Sequence, residues 1–378
     1  MKGLDSKLSI IVPIYKGKAY ISGIIEQAEL NYANSNCQIE LIFVNDFPEE
    51  PLEDYDSSKV DIVTVQTDIN RGIHGARVEG LKYAHGEYVL FLDQDDYIYP
   101  EYVSAQLSTI GQADAVVCRA LHGKQLLYNN SKKFENVVSK QYMSNTGNGI
   151  LSPGQVLIRR SSIPEIWTET IINNNGADDY FLWLIMMAQN ELFVLNQKVL
   201  FEHNLNGKNT SNDVYKMICS EKEMIEVLQR NRLYSSEQLD HLFVSLMNLH
   251  IKEFDVYRKS FDVVKNWMNR TANGINPFHE LNSQGINKIG IYGAGRLGRW
   301  LRDCLSFSGL EVVCYVDQNA EYIVSDIPVF HIEKFDMNID LLIVSVIDEN
   351  RKLKDEIKKV YNGKVEYIDE LLENQNLF

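Results

Sequence analysis

The first patterned segment, Leu8-Ser-Ile-Ile-Val-Pro-Ile-Tyr15, is a short β-branched run ending in Pro13 that reads as a buried strand. Apolar residues at Tyr20, Ile21, Ile24, Ile25 and Ala28 then recur at helical spacing. A second strand is expected at Ile39-Glu-Leu-Ile-Phe-Val44, stopped by Asn45-Asp46-Phe47-Pro48, and a third at Val60-Asp-Ile-Val-Thr-Val65. A helix carrying Val78, Leu81 and Ala84 follows Gly75, and Tyr88-Val-Leu-Phe-Leu92 reads as a fourth strand. Strands alternating with helices across short turns predict a parallel, doubly wound α/β sheet. Such sheets bind ligands beyond the carboxyl ends of their strands, where Pro13, Asp46 and Asp93 fall.

From about Asp114 the pattern becomes irregular, with Asn- and Gly-rich stretches such as Ser144-Asn-Thr-Gly-Asn-Gly149. Helical stripes return between Asp213 and Arg270, through Met224, Val227 and Leu228, then Leu239, Leu242, Phe243, Leu246 and Leu249. A turn-rich stretch from Asn273 to Asn287 follows, and a second strand-helix alternation starts at Lys288-Ile-Gly-Ile-Tyr-Gly293.

At 378 residues the chain is long enough for two domains or two plus a connector. Lys and Arg number 37 against 52 Asp and Glu, a net charge of -15, which argues against nucleic acid as a partner and against plain electrostatic adhesion to anionic lipid. The five cysteines form no CxxC pair, so neither a structural zinc site nor a disulfide framework is expected. The longest apolar run, Tyr180 to Ala188, is far too short to span a bilayer, and no leader pattern precedes the first strand. A cytoplasmic protein is the expectation.

Phe91-Leu-Asp-Gln-Asp-Asp96 sets three carboxylates at a strand end within four positions. Like charges so close raise one another's pKa, and a hard divalent cation such as Mg2+ or Mn2+ relieves the cost. A solvated acidic turn is the plainer alternative.

Four blocks in this order and spacing, Ser9-Ile-Ile-Val-Pro-Ile-Tyr15, Glu40-Leu-Ile-Phe-Val-Asn-Asp46, Asn70-Arg-Gly-Ile-His-Gly-Ala-Arg77 and Gly86-Glu-Tyr-Val-Leu-Phe-Leu-Asp-Gln-Asp-Asp96, resemble the family 2 glycosyltransferases. The resemblance covers roughly residues 8–211 and implies the GT-A fold, a nucleotide-sugar donor and inversion at the anomeric carbon. It implies that Pro13, Tyr15 and Asp46 hold the nucleotide base, that Arg77 lies near the base or diphosphate, and that Asp93 lies near the ribose. Asp95 would bind the metal, with Asp96 as a second ligand and His203, in His203-Asn-Leu-Asn-Gly-Lys-Asn-Thr-Ser211, reaching back toward metal or diphosphate. Asp178-Asp179 stands where the family carries Glu-Asp, which makes Asp179 the implied general base beside Asp178. Trp167, Trp183 and Tyr180 fit either sugar stacking or core packing.

Some positions depart from the family pattern. Asn45-Asp46-Phe47-Pro48 replaces the usual Asp-Asp-Gly-Ser turn, Val78 stands where Asn often follows Ala-Arg, and the Gln-Thr-Tyr segment is not evident. These changes bear on the donor's identity more than on the fold.

Ile289-Gly-Ile-Tyr-Gly-Ala-Gly-Arg-Leu-Gly298 is a strand followed by G-x-G-x-x-G, with Asp317 closing a second strand about twenty residues on. Gly293, Gly295, Gly298 and Asp317 therefore mark a second nucleotide site or a structural and oligomerising module. No hydride-transfer residue set accompanies them, and no Tyr-x-x-x-Lys pair follows.

The expected layout is a GT-A domain at 1–212, a helical connector at 213–285 and a small Rossmann-like domain at 286–378. The leading function is an inverting, metal-dependent hexosyltransferase using a UDP-sugar and a glycan or lipid-linked acceptor in surface polysaccharide biosynthesis. Peripheral association with the inner face of the membrane and homo-oligomerisation stay open. The alternatives are an NAD- or nucleotide-sugar-dependent oxidoreductase or epimerase built on the second module, and a non-catalytic assembly subunit.

Overall fold

The computed structural model describes residues 6–123, 125–128, 131–204, 213–272, 278–323, 325–347 and 351–373. Contacts divide the chain into two compact units, Met1–Asn248 and Leu249–Phe378.

The first unit is built on a mixed sheet of strands β1 (Ser6–Ile14), β2 (Cys37–Asn45), β3 (Asp61–Gln66), β4 (Tyr88–Phe91), β5 (Tyr97–Ile98), β6 (Ala115–His122), β7 (Gln125–Leu126), β8 (Val156–Arg159) and β9 (Phe193–His203). The order is β3-β2-β1-β4-β8-β6-β9-β5, with β7 paired to β6. The four strands expected from the sequence form its parallel half, Ile10 level with Leu41 on one side and with Leu90 on the other. Beyond β4 the sheet turns antiparallel through β8 and becomes parallel again between β6 and β9.

Both faces of β1 are covered, so alternate residues feed different cores: Ile11 joins one cluster, while Ile10, Val12 and Ile14 join the other. Each such side chain contributes roughly 1.5–3 kcal/mol on burial. One face is covered by helices α1 (Ile21–Ala33) and α3 (Tyr102–Ile110). The other lies under α2 (Gly72–Leu81), the short α4 (Ser131–Asn136), α5 (Lys140–Asn145) and α6 (Glu165–Glu169), and α7 (Asp178–Ala188). Residues Asp178 to Met187 of α7 are all buried, as a helix that is apolar all round must be. Two further helices, α8 (Val214–Arg230) and α9 (Ser236–Ala272), begin inside this unit, where Met224, Val227, Leu228, Leu239, Leu242 and Leu246 complete the α7 core.

The second unit carries a smaller, wholly parallel sheet of β10 (Lys288–Tyr292), β11 (Glu311–Val316), β12 (Val329–Phe330), β13 (Leu341–Val344) and β14 (Val365–Tyr367), in the order β12-β11-β10-β13-β14. Its helices are α10 (His279–Ser283), α11 (Arg296–Phe307), α12 (Lys352–Lys358) and α13 (Ile368–Glu373). Among the described residues no helix is long and apolar enough to cross a membrane. All five cysteines are free.

Candidate active site

In the first sheet β1 lies between β2 and β4, so the chain winds outward in both directions from the β1–β4 seam. The carboxyl ends of these strands open on a cleft of about 510 Å3. Pro13, Tyr15, Asp46, Arg77, Asp93, Asp95, Asp178, Asp179 and His203, all expected from the sequence, line it together. Asn70, Gln94, Ser152, Asn175, Gly176, Lys216 and Met217 join them without having been expected.

Gln94 stitches the seam. Its Oε1 accepts from the Tyr15 amide at 3.0 Å and its Nε2 donates to the Tyr15 carbonyl at 3.2 Å. A Cβ on Gly17 would fall 1.9 Å from that same Oε1, so a larger residue there would push the Gln94 amide off Tyr15. The Tyr15 ring stays 44% exposed and meets Phe47 edge-on at 5.3 Å. Asp46 is buried beside it, with Oδ1 accepting from the Arg71 amide at 2.6 Å. Burial pushes its carboxyl above the usual value despite amide bonds from Arg71 and Gly72.

Arg77 sits at the centre. Its guanidinium is buried and donates through Nη1 to Asp178 and through Nη2 to Asp93. Arg77 therefore ties the start of α7 to the end of β4. The neighbouring Asp179 is buried as well, its Oδ1 accepting from the Tyr180 amide at 2.6 Å and its Oδ2 lying 3.5 Å from Asn148 Nδ2. Burial, reinforced by the Asp178 charge, lifts its pKa to about 7 against the pull of Arg77. A carboxylate poised there can exchange a proton near neutrality.

On the far side Asp96 is buried, and both its oxygens are engaged: Oδ1 by His203 Nδ1 at 2.8 Å and Oδ2 by Ser152 Oγ at 2.9 Å. Burial raises its pKa to about 6. Burial works against a charged His203, but the Asp96 bond and charge win and raise its pKa. The rest of the His203 segment, 205–212, lies outside the described residues.

His74, on α2 one turn before Arg77, is fully used in the structure. Its Nδ1 accepts from the Ile172 amide at 2.9 Å, which leaves Nε2 to donate to the Trp167 carbonyl at 3.0 Å. Burial lowers its pKa, so the ring stays neutral. Trp167, Trp183 and Tyr180 are all buried in the core behind the cleft, so they pack there and do not stack in it.

Comparison with known proteins bears on this arrangement. The sequence profile described as Glycosyl transferase family 2 matches residues 9–167. This region is a family 2 glycosyltransferase domain. The chain is 33% identical over 115 residues to the putative glycosyltransferase EpsH of Bacillus subtilis strain 168, covering 29% of this chain and 33% of that protein. It is 25% identical over 204 residues to the Escherichia coli UDP-Glc:alpha-D-GlcNAc-diphosphoundecaprenol beta-1,3-glucosyltransferase WfgD, covering 51% of this chain and 74% of that one. A crystal structure of S. aureus TarS 1-349 in complex with UDP-GlcNAc overlays with a TM-score of 0.46 at 19% identity, covering 65% of this chain and 73% of that one.

The glycosyltransferase domain places its unexpected residues through tertiary contacts. Asn148 comes from the Asn/Gly-rich stretch that the sequence marks as irregular. Lys216 and Met217 come from α8, which the sequence assigns to a connector.

The glycine motif of the second unit is occupied with its own packing. Gly293 has φ +102° and lies against Ser345 and Val346, and a Cβ on Gly298 would fall 1.9 Å from the Gly293 carbonyl oxygen. Asp317, expected at a ribose, accepts from the Ala294 amide at 2.9 Å and from the Asn319 amide at 2.9 Å. The acid thus sits on an amide of the loop that a phosphate would approach.

Proposed function

We propose that the chain is an inverting glycosyltransferase that moves a sugar from a UDP-sugar to a hydroxyl of a glycan or lipid-linked acceptor in surface polysaccharide biosynthesis. The observation that carries this reading is Asp179, a buried carboxylate with its pKa lifted to about 7, lining the same cleft as Asp46, Asp93 and Asp95. A glycosyl transfer needs such a base on the side away from the departing phosphate.

In this reading Pro13, Tyr15 and Asp46 hold the uracil, Asp46 accepting from its ring N–H. Asp93, already paired with Arg77, faces the ribose. The acceptor hydroxyl gives its proton to Asp179 as its oxygen attacks the anomeric carbon. The bond from that carbon to the diphosphate breaks, and the electron pair leaves with UDP. Asp178 holds Arg77 and thereby lends its negative charge to keep Asp179 basic.

The donor set suits a hard divalent cation, since it consists of carboxylates on one strand end. Among the described residues no group of three or more acidic, His or Cys side chains is arranged to hold a metal alone. Asp95, which lines the cleft, is the first candidate ligand, Asp96 and His203 are further ones, and the donor's phosphates would supply the remaining oxygens. Mn2+ or Mg2+ bound there would screen the charge on the leaving diphosphate. The UDP donor and the lipid-linked acceptor are supported by the similarity to WfgD, whose name gives a UDP-glucose donor and a diphosphoundecaprenol-linked acceptor. A lipid-linked acceptor would bring the protein to the inner membrane face.

The test is a panel of nucleotide sugars, scored for metal-dependent release of nucleoside diphosphate with and without added acceptor glycans. UDP release from one donor is expected. Tight NAD binding with a reduction signal and no release from any nucleotide sugar would favour the oxidoreductase reading instead.

A further inference from the structure

The segment before Asp178 reads Asn173-Asn-Asn-Gly-Ala177, with no large apolar side chain to anchor it and many donors to satisfy. α8 supplies what it lacks. Glu223 accepts from the Asn173 amide at 3.0 Å and from the Asn173 side chain at 2.7 Å. Its other oxygen takes the Asn174 amide at 3.2 Å and the Asn174 side chain at 3.1 Å. One turn earlier, Ser220 Oγ accepts from the Ala177 amide at 2.9 Å and donates to the Asn174 carbonyl at 2.7 Å. Met217, a further turn back, packs where a Cβ on Gly176 would stand, 2.4 Å from its sulfur, and Gly176 has φ +137°. These residues lie three apart, so they share one face of the helix. From the opposite side, Asn175 Oδ1 accepts from the Ile73 amide of α2 at 3.0 Å.

We propose that Ser220 and Glu223 are positioning residues of the transfer reaction, clamping the 173–177 loop so that Asp179 meets the acceptor hydroxyl in an attacking geometry. This rests on the reading of Asp179 as the base. α8 is held independently by Met224, Val227 and Leu228 in the core, so it is a fixed jaw against which the loop is set. The loop leads directly into Asp178 and Asp179, and a base displaced by about 1 Å loses on the order of a hundredfold in rate. Donor binding is expected to change less, because Pro13, Tyr15, Asp46 and Asp93 stand at the ends of β1, β2 and β4, and only Arg77, on α2, is tied to the loop, through Asp178.

The experiment compares wild type with Glu223→Ala, Glu223→Gln and Ser220→Ala, using the UDP-sugar that wild type turns over and UDP with Mn2+ as the binding probe. The expected result is a roughly 10–100-fold fall in kcat for Glu223→Ala, with UDP affinity within about twofold of wild type. Glu223→Gln, which keeps one accepting oxygen, falls in between. The acid limb of the kcat–pH profile moves to lower pH in Glu223→Ala, because a loosened loop admits water to Asp179. An unchanged kcat and unchanged limb in Glu223→Ala and Ser220→Ala overturn the positioning role alone. Equal losses of kcat and UDP affinity overturn it too, since the loop would then serve the donor. A wild type that releases UDP from no donor overturns the transfer reading itself.

Discussion

Arg77 and Asp178 form an ion pair in which both side chains are almost shut off from water, 3% and 4% exposed. The same guanidinium reaches Asp93. Removing a buried cation from two carboxylates costs about 3–5 kcal/mol, so Arg77→Ala is expected to lower the denaturation midpoint sharply. Arg77→Lys restores the charge but not the two-armed geometry. Its stability should lie between wild type and the alanine variant in urea titrations, with turnover well below wild type. A lysine variant equal to wild type in both would show that the bridge does not matter.

As the proposed base, Asp179 must lose its proton to act, and burial lifts its pKa to about 7. Turnover is therefore expected to rise with pH through neutrality and level off above it. Asp179→Asn should bind UDP as wild type does while transfer drops by at least a hundredfold. Asp178→Asn removes the like charge that holds the proton on, so its acid limb should appear at lower pH. A pH–rate profile of the three proteins decides.

Asp95→Ala is expected to weaken UDP binding in Mn2+ or Mg2+ by about tenfold or more, and to leave metal-free UDP binding nearly unchanged. Calorimetry with and without EDTA separates the two. Equal losses in both conditions would move Asp95 from the metal to the nucleotide.

Glu40 lies at the opposite end of the sheet, buried, and accepts from Lys7 Nζ at 2.7 Å, Ser9 Oγ at 2.5 Å, the Gly86 amide at 3.0 Å and the His85 amide. Burial alone would raise its pKa, yet the bonds from Lys7, Ser9 and His85 bring it below the usual 4.5. A depressed carboxylate stabilises the fold above its unfolded value, and that contribution fades as pH falls through the folded one. Glu40→Ala should cost about 2–4 kcal/mol at neutral pH and much less at pH about 3. Thermal melts at the two pH values check the sign, and no neutral-pH loss would contradict it.

The parallel half of the first sheet was legible because β1, β2 and β4 are buried on both faces and so read as continuous apolar runs. β10 and β11 were legible from the glycine turn that joins them to α11. The β6, β8 and β9 region was harder: between β6 and β8 come only the two-residue β7, the six-residue helices α4 and α5 and an Asn- and Gly-rich stretch, too short for a periodic pattern, and the pairing skips along the chain, Val116 opposite Leu157 but level with Val194. The acids of the cleft followed strand ends and family spacing. Ser220 and Glu223 did not, because their partners lie 43 to 50 positions away and a polar residue on a helix face looks like any solvated one. Gln94 sat inside the acidic block, yet nothing in its type announced a bridge to Tyr15.

His74 is a histidine whose burial lowers its pKa below the ordinary value. With one ring nitrogen accepting and the other donating, and burial holding it neutral, it keeps α2 fastened to the Trp167 turn across neutrality. Asp179 changes charge over that same range. The cleft thus joins a carboxylate that titrates near neutrality to a histidine that is neutral there. Mild acidification should silence the enzyme reversibly, as a switch does, through protonation of Asp179.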